Sequence, residues 1–573
     1  MELDKSHSKR SKSGCWTCRT KKVKCDEQHP TCFRCSRLQL HCDYAPRKKR
    51  TKTRFIDESS TIVQRHKHKP SASNSHHTTN HTQGKSANSN KQLVPRELHH
   101  HLQTSASSVD LTSADHEAIR YFRTVFAKTY HTKNPKFSLY AIIFDIAERD
   151  PMVMRAILAL GGQSIEHRRQ AAADRALTAP GDSERPLQHY SAALRMMADN
   201  LDQRQAYAQF LYDLDAILAT LYLMLLYEKT YGNGNSCGLS NHLVGAALLV
   251  KHRLKDQPLA IANSANGGSK HPKSTNQAAL VRYYDSQQQQ QQSLSLFSAR
   301  ILVHLAAQDS SAASFGFGGK LISTLNDILP SNSQSGPSST VPPDGHVSLH
   351  KYSYSLYRTM WGQDYPQTEL LDDLENRGVF GMGTAMIQLR FMVSTLTSAP
   401  GDAGKVAEVE TAMQQVSSQF EELFAAADEL AAETDNSHRL VANLRCMVPV
   451  FYAVRVEFHR AKRFLGHINE DHEAVYEAIE KIVRLAKQTY RHQGSEGLIL
   501  FAWPLYLAAM ETVDDEYRDW VIARFQELCA HGKNYERAYN FLLKCFRDTS
   551  EDEFDIGLKD FRDVRLETEL FVL

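Results

Sequence analysis

The chain has 573 residues, 42% of them hydrophobic and 23% charged, and this length and composition are typical of a globular protein of two to four domains. The net charge of +3 is unevenly distributed, because residues 1–54 hold 16 Lys/Arg and 5 Asp/Glu, a net +11, whereas residues 55–573 carry a net −8. This division argues against a chain that is basic throughout and indicates a polyanionic partner for the N-terminal segment alone.

The start of the chain, MELDKSHSKRSKSG, is charged and has no apolar core, so it does not predict a secretory signal. The most apolar run, residues 216–227, is shorter than the roughly 20 residues needed to span a bilayer, and we expect it to form a buried helix and not a membrane span. Cysteines in a chain that is not exported are expected to stay reduced, so clustered thiols point to metal binding instead of disulfides.

Six of the ten cysteines lie within residues 15–42 and follow the spacing C-x2-C-x6-C-x6-C-x2-C-x6-C. The half-motif C-x2-C-x6-C is used twice, and each half offers three thiolates, whereas zinc takes four ligands in a tetrahedron. Two zinc ions need eight ligand positions, which six sulfurs fill if two of them bridge both ions. The predicted metal ligands of this binuclear zinc cluster are Cys15, Cys18, Cys25, Cys32, Cys35 and Cys42.

Two other uses of these cysteines are open. Two independent Cys3His sites could recruit His29 and His41, which lie near the third cysteine of each half. A C-x2-C redox pair is the second alternative, but two such pairs with two further, evenly spaced cysteines would be an unusual redox design. The doubled register favours the binuclear cluster.

The two halves of the motif differ in charge. The first spacer, residues 19–24, reads RTKKVK and carries four positive charges, while the second, residues 36–41, reads SRLQLH and carries one. We therefore expect the first half to face a polyanion, and Leu38 and Leu40 of the second half to pack. Two zinc ions and six thiolates sum to a negative charge, so the attraction has to come from lysines and arginines. A short lysine-bearing helix fits the major groove of DNA, where guanine O6 and N7 accept hydrogen bonds.

Residues 15–42, with CRTKKVKC and with Pro30 two residues before Cys32, resemble the zinc binuclear cluster (Zn2Cys6) DNA-binding domain of fungal transcription factors. The resemblance implies two Zn2+ ions that hold two short helices together, with Cys15 and Cys32 as the bridging thiolates. It assigns base reading, typically of a CGG-like triplet, to Lys22 with Lys21 beside it. Contacts to phosphate are expected from Arg19, Lys24, Arg34, Arg47, Lys48, Lys49 and Arg50.

Residues 47–54 read RKKRTKTR, and this basic run also predicts a nuclear localisation signal. Residues 1–54 are therefore assigned to a DNA-binding domain with a basic extension. Residues 55–111, rich in Ser, Thr, Asn, Gln and His, are predicted to form a disordered linker. A heptad pattern there stops after two pairs of apolar residues, short of the three to four heptads of a coiled coil, so monomer and homodimer both stay open.

Residues 112–547 show apolar residues at helical spacing and little alternation, so we predict an all-α domain. Thr112 and Asp115 predict a capping box, Asp150 with Pro151 predicts a later helix start, and the Gly-Gly pair at 161–162 predicts the end of that helix. Low-complexity insertions at 255–294 and 330–347 are predicted to be surface loops. The expected core stripes comprise Ile119, Phe122, Phe126, Ile157, Leu158, Leu160, Tyr190, Leu194, Met197, Leu201, Phe420, Leu423, Ala427, Tyr476, Ile479, Ile482 and Leu485.

We find no catalytic motif in this helical body. The sequence SFGFGGKL at 314–321 lacks the first glycine of a phosphate loop and the Ser/Thr after its lysine, and no G-x-S-x-G occurs. The stretches MVMRAILALGG, LYLMLLYEKTYG, MWGQDYP and FAWPLYLAAMETVDDEYRDWVIARF resemble the regulatory domain of fungal zinc cluster factors. That resemblance implies an all-α regulatory domain that is not an enzyme; a small-molecule effector and a corepressor are both open.

Residues 548–573 set nine acidic residues among apolar ones such as Phe554 and Leu570. This composition is typical of an activation segment that folds on a coactivator, and a terminal helix docked on the body is the alternative. Altogether the sequence predicts a nuclear, sequence-specific DNA-binding transcription factor for RNA polymerase II, with double-stranded DNA and coactivators or corepressors as partners. The alternatives are a nucleic-acid- or metal-handling protein without promoter specificity, and an enzyme with a zinc-cluster appendage.

Overall fold

The protein divides into two compact units, residues 1–91 and 92–573. In the described residues the regular structure is helical, with no strand, which confirms the predicted all-α body. The predicted linker, apart from Leu111, and most of the two predicted insertions lie outside the described residues. The computed structural model describes residues 14, 15, 17, 18, 25–38, 42, 44, 111–176, 184–203, 211–235, 237–254, 294–329, 345–397, 403–434, 436–466, 472–547 and 569–573.

The first unit has a core of thiols where most small domains have apolar side chains. Cys15, Cys18, Cys32 and Cys35 are fully buried. Cys32 is also the N-cap of helix α1 (Phe33–Arg37). A unit with so little apolar surface to bury needs a metal to hold its fold.

The second unit is a helical body in the residues that the structure describes. Its helices are, in chain order, α2 (Ser113–Tyr121), which continues through a π turn (Phe122–Phe126) into α3 (Ala127–Thr129), α4 (Leu139–Ala147), α5 (Pro151–Ala176), α6 (Arg185–Gln203), α7 (Leu211–Tyr231), α8 (Cys237–Leu254), α9 (Leu296–Ser314), α10 (Lys320–Ile328), α11 (Gly345–Tyr352), α12 (Leu356–Trp361), α13 (Gln367–Glu375), α14 (Arg377–Leu396), α15 (Ala403–Gln419), α16 (Glu421–Glu429), α17 (Arg439–Phe464), α18 (His472–Gln493), α19 (Ala502–Glu511), α20 (Asp515–Leu528) and α21 (Lys533–Arg547).

Both helix starts predicted from capping residues are present. The Oγ1 atom of Thr112 accepts a hydrogen bond from the N–H of Asp115 at 3.4 Å, and the Asp115 carboxylate accepts one from the N–H of Thr112 at 2.8 Å, so α2 begins with a capping box. Asp150 Oδ1 accepts from the N–H groups of Met152 and Val153, at 2.8 and 3.2 Å, where α5 begins. These bonds satisfy backbone donors that the first turn of a helix leaves without a partner.

The predicted helix end at Gly161 and Gly162 is wrong, because α5 runs through both residues to Ala176. A Cβ atom at position 161 would lie 2.6 Å from the carbonyl oxygen of Ala118 on α2, and one at position 162 would lie 3.1 Å from Cγ of Pro186 on α6. The two glycines therefore permit close packing of neighbouring helices on α5 and do not terminate it.

Two predicted core stripes are only partly right. On α6, Met197 is buried as expected, but Leu194 and Leu201 are exposed because the packed face of the helix runs through Ala193. On α18, Tyr476 is exposed near the start of the helix, while the three later positions of its stripe are buried. Single exposed apolar residues of this kind are common on surface helices.

The centre of the second unit is formed by α7, α9, α14, α17 and α19, whose apolar side chains join one buried cluster. Residues 216–227 of α7 are all buried, which confirms the buried helix predicted there. Among the described residues, α14 is the helix long and apolar enough to cross a membrane, with a mean hydropathy of 1.3. It packs against α9 and α17, and 56% of its apolar window is buried, as in the core helix of a folded body.

Residues 569–573, the described end of the predicted tail, pack on the helical body without regular structure. The N–H of Leu570 donates to the carbonyl oxygen of Gly234 at 2.8 Å. The ring of Phe571 lies 5.6 Å, between centroids, from those of Phe315 and Tyr506, and it is buried. Residues 548–568 of that tail lie outside the described residues.

Candidate metal centre

Four cysteine sulfur atoms converge in the first unit. The Sγ atom of Cys15 is 3.8 Å from those of Cys32 and Cys35, and Sγ of Cys18 is 3.7 and 4.0 Å from the same two. All four lie within 4.8 Å of one another. Two sulfurs bound to one tetrahedral zinc at about 2.3 Å are about 3.8 Å apart. The donor chemistry and the spacing of these thiols therefore fit zinc.

The two halves of the motif fold in the same way at their first cysteine. The backbone N–H of Cys18 donates to Sγ of Cys15, and that of Cys35 donates to Sγ of Cys32, each at 3.4 Å. Each bond spans three residues, as an N-cap bond does, and at Cys32 it begins helix α1. The C-x2-C spacing thus brings both cysteines of a pair to one helical turn, and the second half of the motif repeats that arrangement.

The other two cysteines lie beside these four. Sγ of Cys42 accepts a hydrogen bond from the N–H of Cys32 at 3.3 Å, and Sγ of Cys25 lies within 4.8 Å of Cys32 Sγ and of a carboxylate oxygen of Asp26. Cys25 is buried and Cys42 is half-buried. The structure therefore gathers all six predicted ligands into one cluster and places Cys32 next to each of the others.

The hydrogen bonds within the cluster favour negative charge unevenly. Burial acts to raise the pKa of the Cys32 thiol, but the N–H of Cys35 and the neighbouring thiols outweigh it and lower this pKa to about 6. Burial, with the thiols of Cys15 and Cys32, raises the pKa of Cys18 to about 12. Thiols packed this closely cannot all ionise unless a cation lies among them, and zinc would supply that cation.

Two residues outside the predicted ligand set support the cluster. Asp26 Oδ2 accepts a hydrogen bond from the N–H of Phe33 at 3.0 Å where α1 begins, and this bond lowers the pKa of the Asp26 carboxyl. The hydroxyl of Tyr44 lies 3.5 Å from Sγ of Cys25. In the sequence, these contacts could be anticipated only from the proximity of the two residues to cysteines, since Asp26 follows Cys25 directly and Tyr44 comes two residues after the last cysteine.

The alternative histidine ligands are placed differently from the thiols. The ring of His29 lies 3.9 Å from that of Tyr44, between centroids, and His29 belongs to no candidate metal group in the described part of the chain. His41 and Leu40 lie outside that part. The expectation that Leu38 packs is wrong, because this residue is 45% exposed at the C-cap of α1. Helix α1 has five residues, and its inward position is taken by Cys35, so the thiols leave no apolar core for a leucine to join.

Arg34 is the predicted DNA-contacting residue that the structure describes. It lies on α1 and is half-buried. Its guanidinium is close enough to Cys18 to act against the rise in that thiol's pKa, so it offsets negative charge at the cluster. The other predicted DNA-contacting residues lie outside the described residues: Arg19, Lys21, Lys22, Lys24, Arg47, Lys48, Lys49 and Arg50.

Comparison with known protein families agrees with this arrangement. Residues 13–51 match the family model of the fungal Zn(2)-Cys(6) binuclear cluster domain, and residues 118–553 match that of the fungal specific transcription factor domain. A binuclear cluster domain binds two zinc ions, so the predicted cofactor, two Zn2+, is confirmed. No solved structure matches the chain.

Curated relatives match through short segments. The chain is 39% identical over 69 residues to the transcriptional regulatory protein UME6 of Saccharomyces cerevisiae, and 33% identical over 89 residues to the lysine biosynthesis regulatory protein LYS14 of the same organism. It is 60% identical over 35 residues to the transcription factor lfc1 of Flammulina velutipes. These segments cover 10%, 16% and 6% of this chain and 8%, 11% and 12% of the relatives, so the chain spans about a tenth of the length of the curated proteins it matches.

Proposed function

This chain belongs to the fungal Zn2Cys6 transcription factors, and on that basis we propose that its zinc cluster reads CGG-like triplets in the major groove of DNA and that its helical body regulates transcription by RNA polymerase II. DNA binding and transcriptional regulation follow from membership of the family. Recognition of a CGG-like triplet, regulation of RNA polymerase II and location in the nucleus are what we propose beyond family membership.

The observation that carries the proposal is the position of the clustered thiols at both ends of a basic segment. Residues 19–24, RTKKVK, are bounded by Cys18 and Cys25, and both cysteines are buried in the cluster. Metal binding at both ends would fix the distance that this six-residue segment spans and therefore limit the directions in which its four cations extend. Since two zinc ions and six thiolates are negative in sum, these cations supply the attraction to phosphate.

Within this region we assign distinct roles to the cationic side chains. Lys22, with Lys21 beside it, reads bases, because a lysine ammonium can donate to both O6 and N7 of guanine. The cations around them contact phosphate, which fixes the register of the protein on the duplex without reading sequence. The phosphate-contacting set is Arg19, Lys24, Arg34, Arg47, Lys48, Lys49 and Arg50.

The division of roles is tested with Lys22→Ala and Lys48→Ala in the full-length protein, by measuring affinity for a CGG-containing duplex and for a scrambled duplex at several salt concentrations. Lys22→Ala is expected to abolish the preference for the CGG duplex. Lys48→Ala is expected to weaken binding to both duplexes alike and to lower the salt slope by about one. Lys251→Ala, which removes an exposed lysine of α8, is the matched control. Equal losses of sequence preference in the first two variants would refute the assignment.

The full operator sequence can be determined with the same full-length protein. Selection of bound sequences from random DNA by the full chain is expected to enrich a CGG-like triplet. Enrichment of two triplets at a fixed spacing would indicate a homodimer, because half-site spacing mirrors the symmetry of the protein. Enrichment of no common triplet would favour the alternative function, a nucleic-acid-binding protein without promoter specificity.

We further propose that residues 548–568 recruit a coactivator. The acidic-hydrophobic composition of 548–573 supports this role. Because residues 569–573 pack on the body, the recruiting segment is expected to lie before them. Fusion of 548–568 to a foreign DNA-binding domain is expected to activate a reporter gene, and no activation would assign the segment a structural role instead.

Residues 47–54 are proposed to direct nuclear import, since a run of six cations in eight residues is typical of such signals. Alanine at positions 47–50 of the fluorescently tagged chain is expected to shift it from the nucleus to the cytoplasm. An unchanged distribution would limit this run to DNA binding.

A further inference from the structure

The second unit contains a cavity of about 400 Å³ that the zinc cluster and its DNA contacts leave unexplained. Its wall is formed largely by α7, α9, α14, α17 and α19, the helices at the centre of the body. This volume is in the range of small-molecule binding sites, which are typically apolar with a few polar groups that converge. The charges and hydrogen-bonding groups on the wall therefore indicate the class of molecule that would fit.

The charges on the wall are unbalanced toward the positive. Asp373 is the acidic side chain among the described wall residues, and it is already engaged: its Oδ1 accepts from Nζ of Lys133 at 2.6 Å and from Arg439 at 3.3 Å. Arg439 also pairs with Asp372. The cationic side chains of the wall are Lys229, Arg300, Arg377, Arg390 and Arg439.

Lys229 and Arg390 form the first group of cations with unused donors. The side-chain amine of Lys229 on α7 has no hydrogen-bond or ion-pair partner among the described residues. Arg390 on α14 donates to the hydroxyls of Ser314 and Ser311 at 2.8 and 2.9 Å and lies 3.6 Å from the ring centroid of Trp503, but its Nη2 is buried without a partner in the described chain. Burial, and then the positive charge of Arg390, lowers the pKa of Lys229 to about 7.

The carboxylate of Glu457 acts on this group from outside the wall, since it raises the pKa of Arg390 against the effect of burial. Ser314 donates to Oε2 of Glu457 at 3.3 Å, so Glu457 reaches Arg390 through a hydroxyl and is not itself a wall residue. Burial raises the pKa of the Glu457 carboxyl, which reduces its tendency to supply a full negative charge. Lys229 is half-buried and Arg390 is buried, and no wall carboxylate in the described chain is paired with either of them, so an anion between them would favour the charged form of Lys229 and satisfy the unused donor of Arg390.

Arg300 and His350 form a second group on the same wall. Arg300 on α9 donates through Nη2 to the carbonyl oxygen of Ser353 at 3.0 Å, but its Nε is buried without a partner among the described residues. Both ring nitrogens of His350 are likewise buried and unpartnered there. Burial lowers the pKa of His350 to about 3, so its ring is neutral near pH 7 and keeps one N–H to donate. Acceptor oxygens of a bound molecule would satisfy the Nε–H of Arg300 and the one N–H of His350.

Aromatic and aliphatic side chains make up much of the remaining wall, beside neutral polar groups such as Gln308 and Asn443. Tyr222, Phe380, Met447 and Leu573 border the cavity together with the face of Trp503. We propose that this cavity binds an organic anion, a carboxylate or a phosphate monoester carried on an aromatic or aliphatic body, with the anionic group between Lys229 and Arg390. A regulatory role of this site in transcription rests on the proposed function, whereas the binding of an anion there does not.

The test uses full-length, zinc-loaded protein without DNA, so a failure here is distinguishable from a failure of sequence-specific DNA binding. The probes are 2-naphthoate, 2-naphthyl phosphate and the neutral analogue 2-naphthamide, measured by titration calorimetry. At least one of the two anions is expected to bind at one site per chain and at least tenfold more tightly than 2-naphthamide, because charged hydrogen bonds contribute most of the selectivity. The tighter of the two anions identifies the chemical source, carboxylate or phosphate. No binding by either anion, or equal binding of anions and amide, would overturn the proposal.

Lys229→Met provides the residue-level test. This change removes the amine and retains most of the side-chain volume, so it is expected to weaken anion binding at least tenfold. The melting temperature is expected to stay unchanged or rise, since a half-buried charge without a partner does not stabilise the fold. Lys251→Met, which removes an exposed lysine of α8, is expected to alter neither quantity. Wild-type anion affinity in Lys229→Met would overturn the site, and a fall in melting temperature would show that Lys229 is a structural residue and not a ligand-binding one.

Discussion

Replacement of Gly161 by alanine tests whether this glycine exists for helix packing. The new methyl group would lie 2.6 Å from the carbonyl oxygen of Ala118, a backbone atom that cannot rotate away. Alanine gains about 1 kcal/mol of helix propensity over glycine in a helix interior. Overpacking typically costs about 1–3 kcal/mol, and the upper end applies where whole helices must separate. We therefore expect Gly161→Ala to lower the free energy of unfolding by about 1–2 kcal/mol.

Gly245→Ala is the matched control for this prediction. Gly245 is also within a helix, α8, but it is exposed and a Cβ there would meet nothing within 4 Å. Without a steric clash, the higher helix propensity of alanine is expected to stabilise the protein by about 0.5–1 kcal/mol. Urea unfolding of the full chain, followed by far-UV circular dichroism, should move the two midpoints in opposite directions. A Gly161→Ala midpoint at or above that of the wild type would refute the packing explanation.

Two further substitutions test contacts at the two ends of the helical body. The buried carboxylate of Asp115 accepts hydrogen bonds from Arg185 at 2.6 Å, from the N–H of Thr112 at 2.8 Å and from His189 at 3.0 Å, which together hold its pKa well below the usual range against the effect of burial. The stabilisation that this carboxylate provides is therefore complete above about pH 4, near its pKa in the unfolded chain, and is lost as the pH falls further. Asp115→Asn should lower the free energy of unfolding by about 2 kcal/mol at neutral pH and reduce its dependence on acid pH, as measured by unfolding curves. Phe571→Ala should lower the free energy of unfolding by about 3–5 kcal/mol if residues 569–573 are part of the packed body. The control Leu371→Ala, at a side chain that is 64% exposed, should change it by no more than about 0.5 kcal/mol. Equal unfolding midpoints for these two variants would contradict the packing of residues 569–573 on the body.

The zinc cluster could be predicted in detail because its information is local. Ligand type, spacing and the count of four ligands per zinc are all contained within residues 15–42. The capping box at Thr112 and Asp115 was predictable for the same reason, since both partners lie within one helical turn. The contacts of Tyr44 were missed because no simple spacing rule connects a tyrosine to a cysteine sulfur.

The failures arose where tertiary packing overrides a local signal. Gly161 and its neighbour read as a helix end, but the approach of α2 requires a residue without a Cβ in the middle of α5. Leu194 follows helical spacing from a buried tyrosine, yet the packed face of α6 is offset by one residue. Lys229 and Arg390 lie on helices far apart in sequence, so their convergence at the cavity could not be read from either segment.

The most direct test of the account is the zinc content of the full-length protein, measured by elemental analysis for the wild type and three cysteine variants. We predict two zinc ions per chain in the wild type and in Cys237→Ser, which removes an exposed cysteine outside the cluster. We expect Cys32→Ser to lose both ions, because Cys32 lies next to every other thiol of the cluster, and Cys25→Ser to retain more zinc than Cys32→Ser. A wild-type chain with fewer than two ions, or a Cys32→Ser chain that keeps both, would contradict the binuclear cluster on which the proposed function depends.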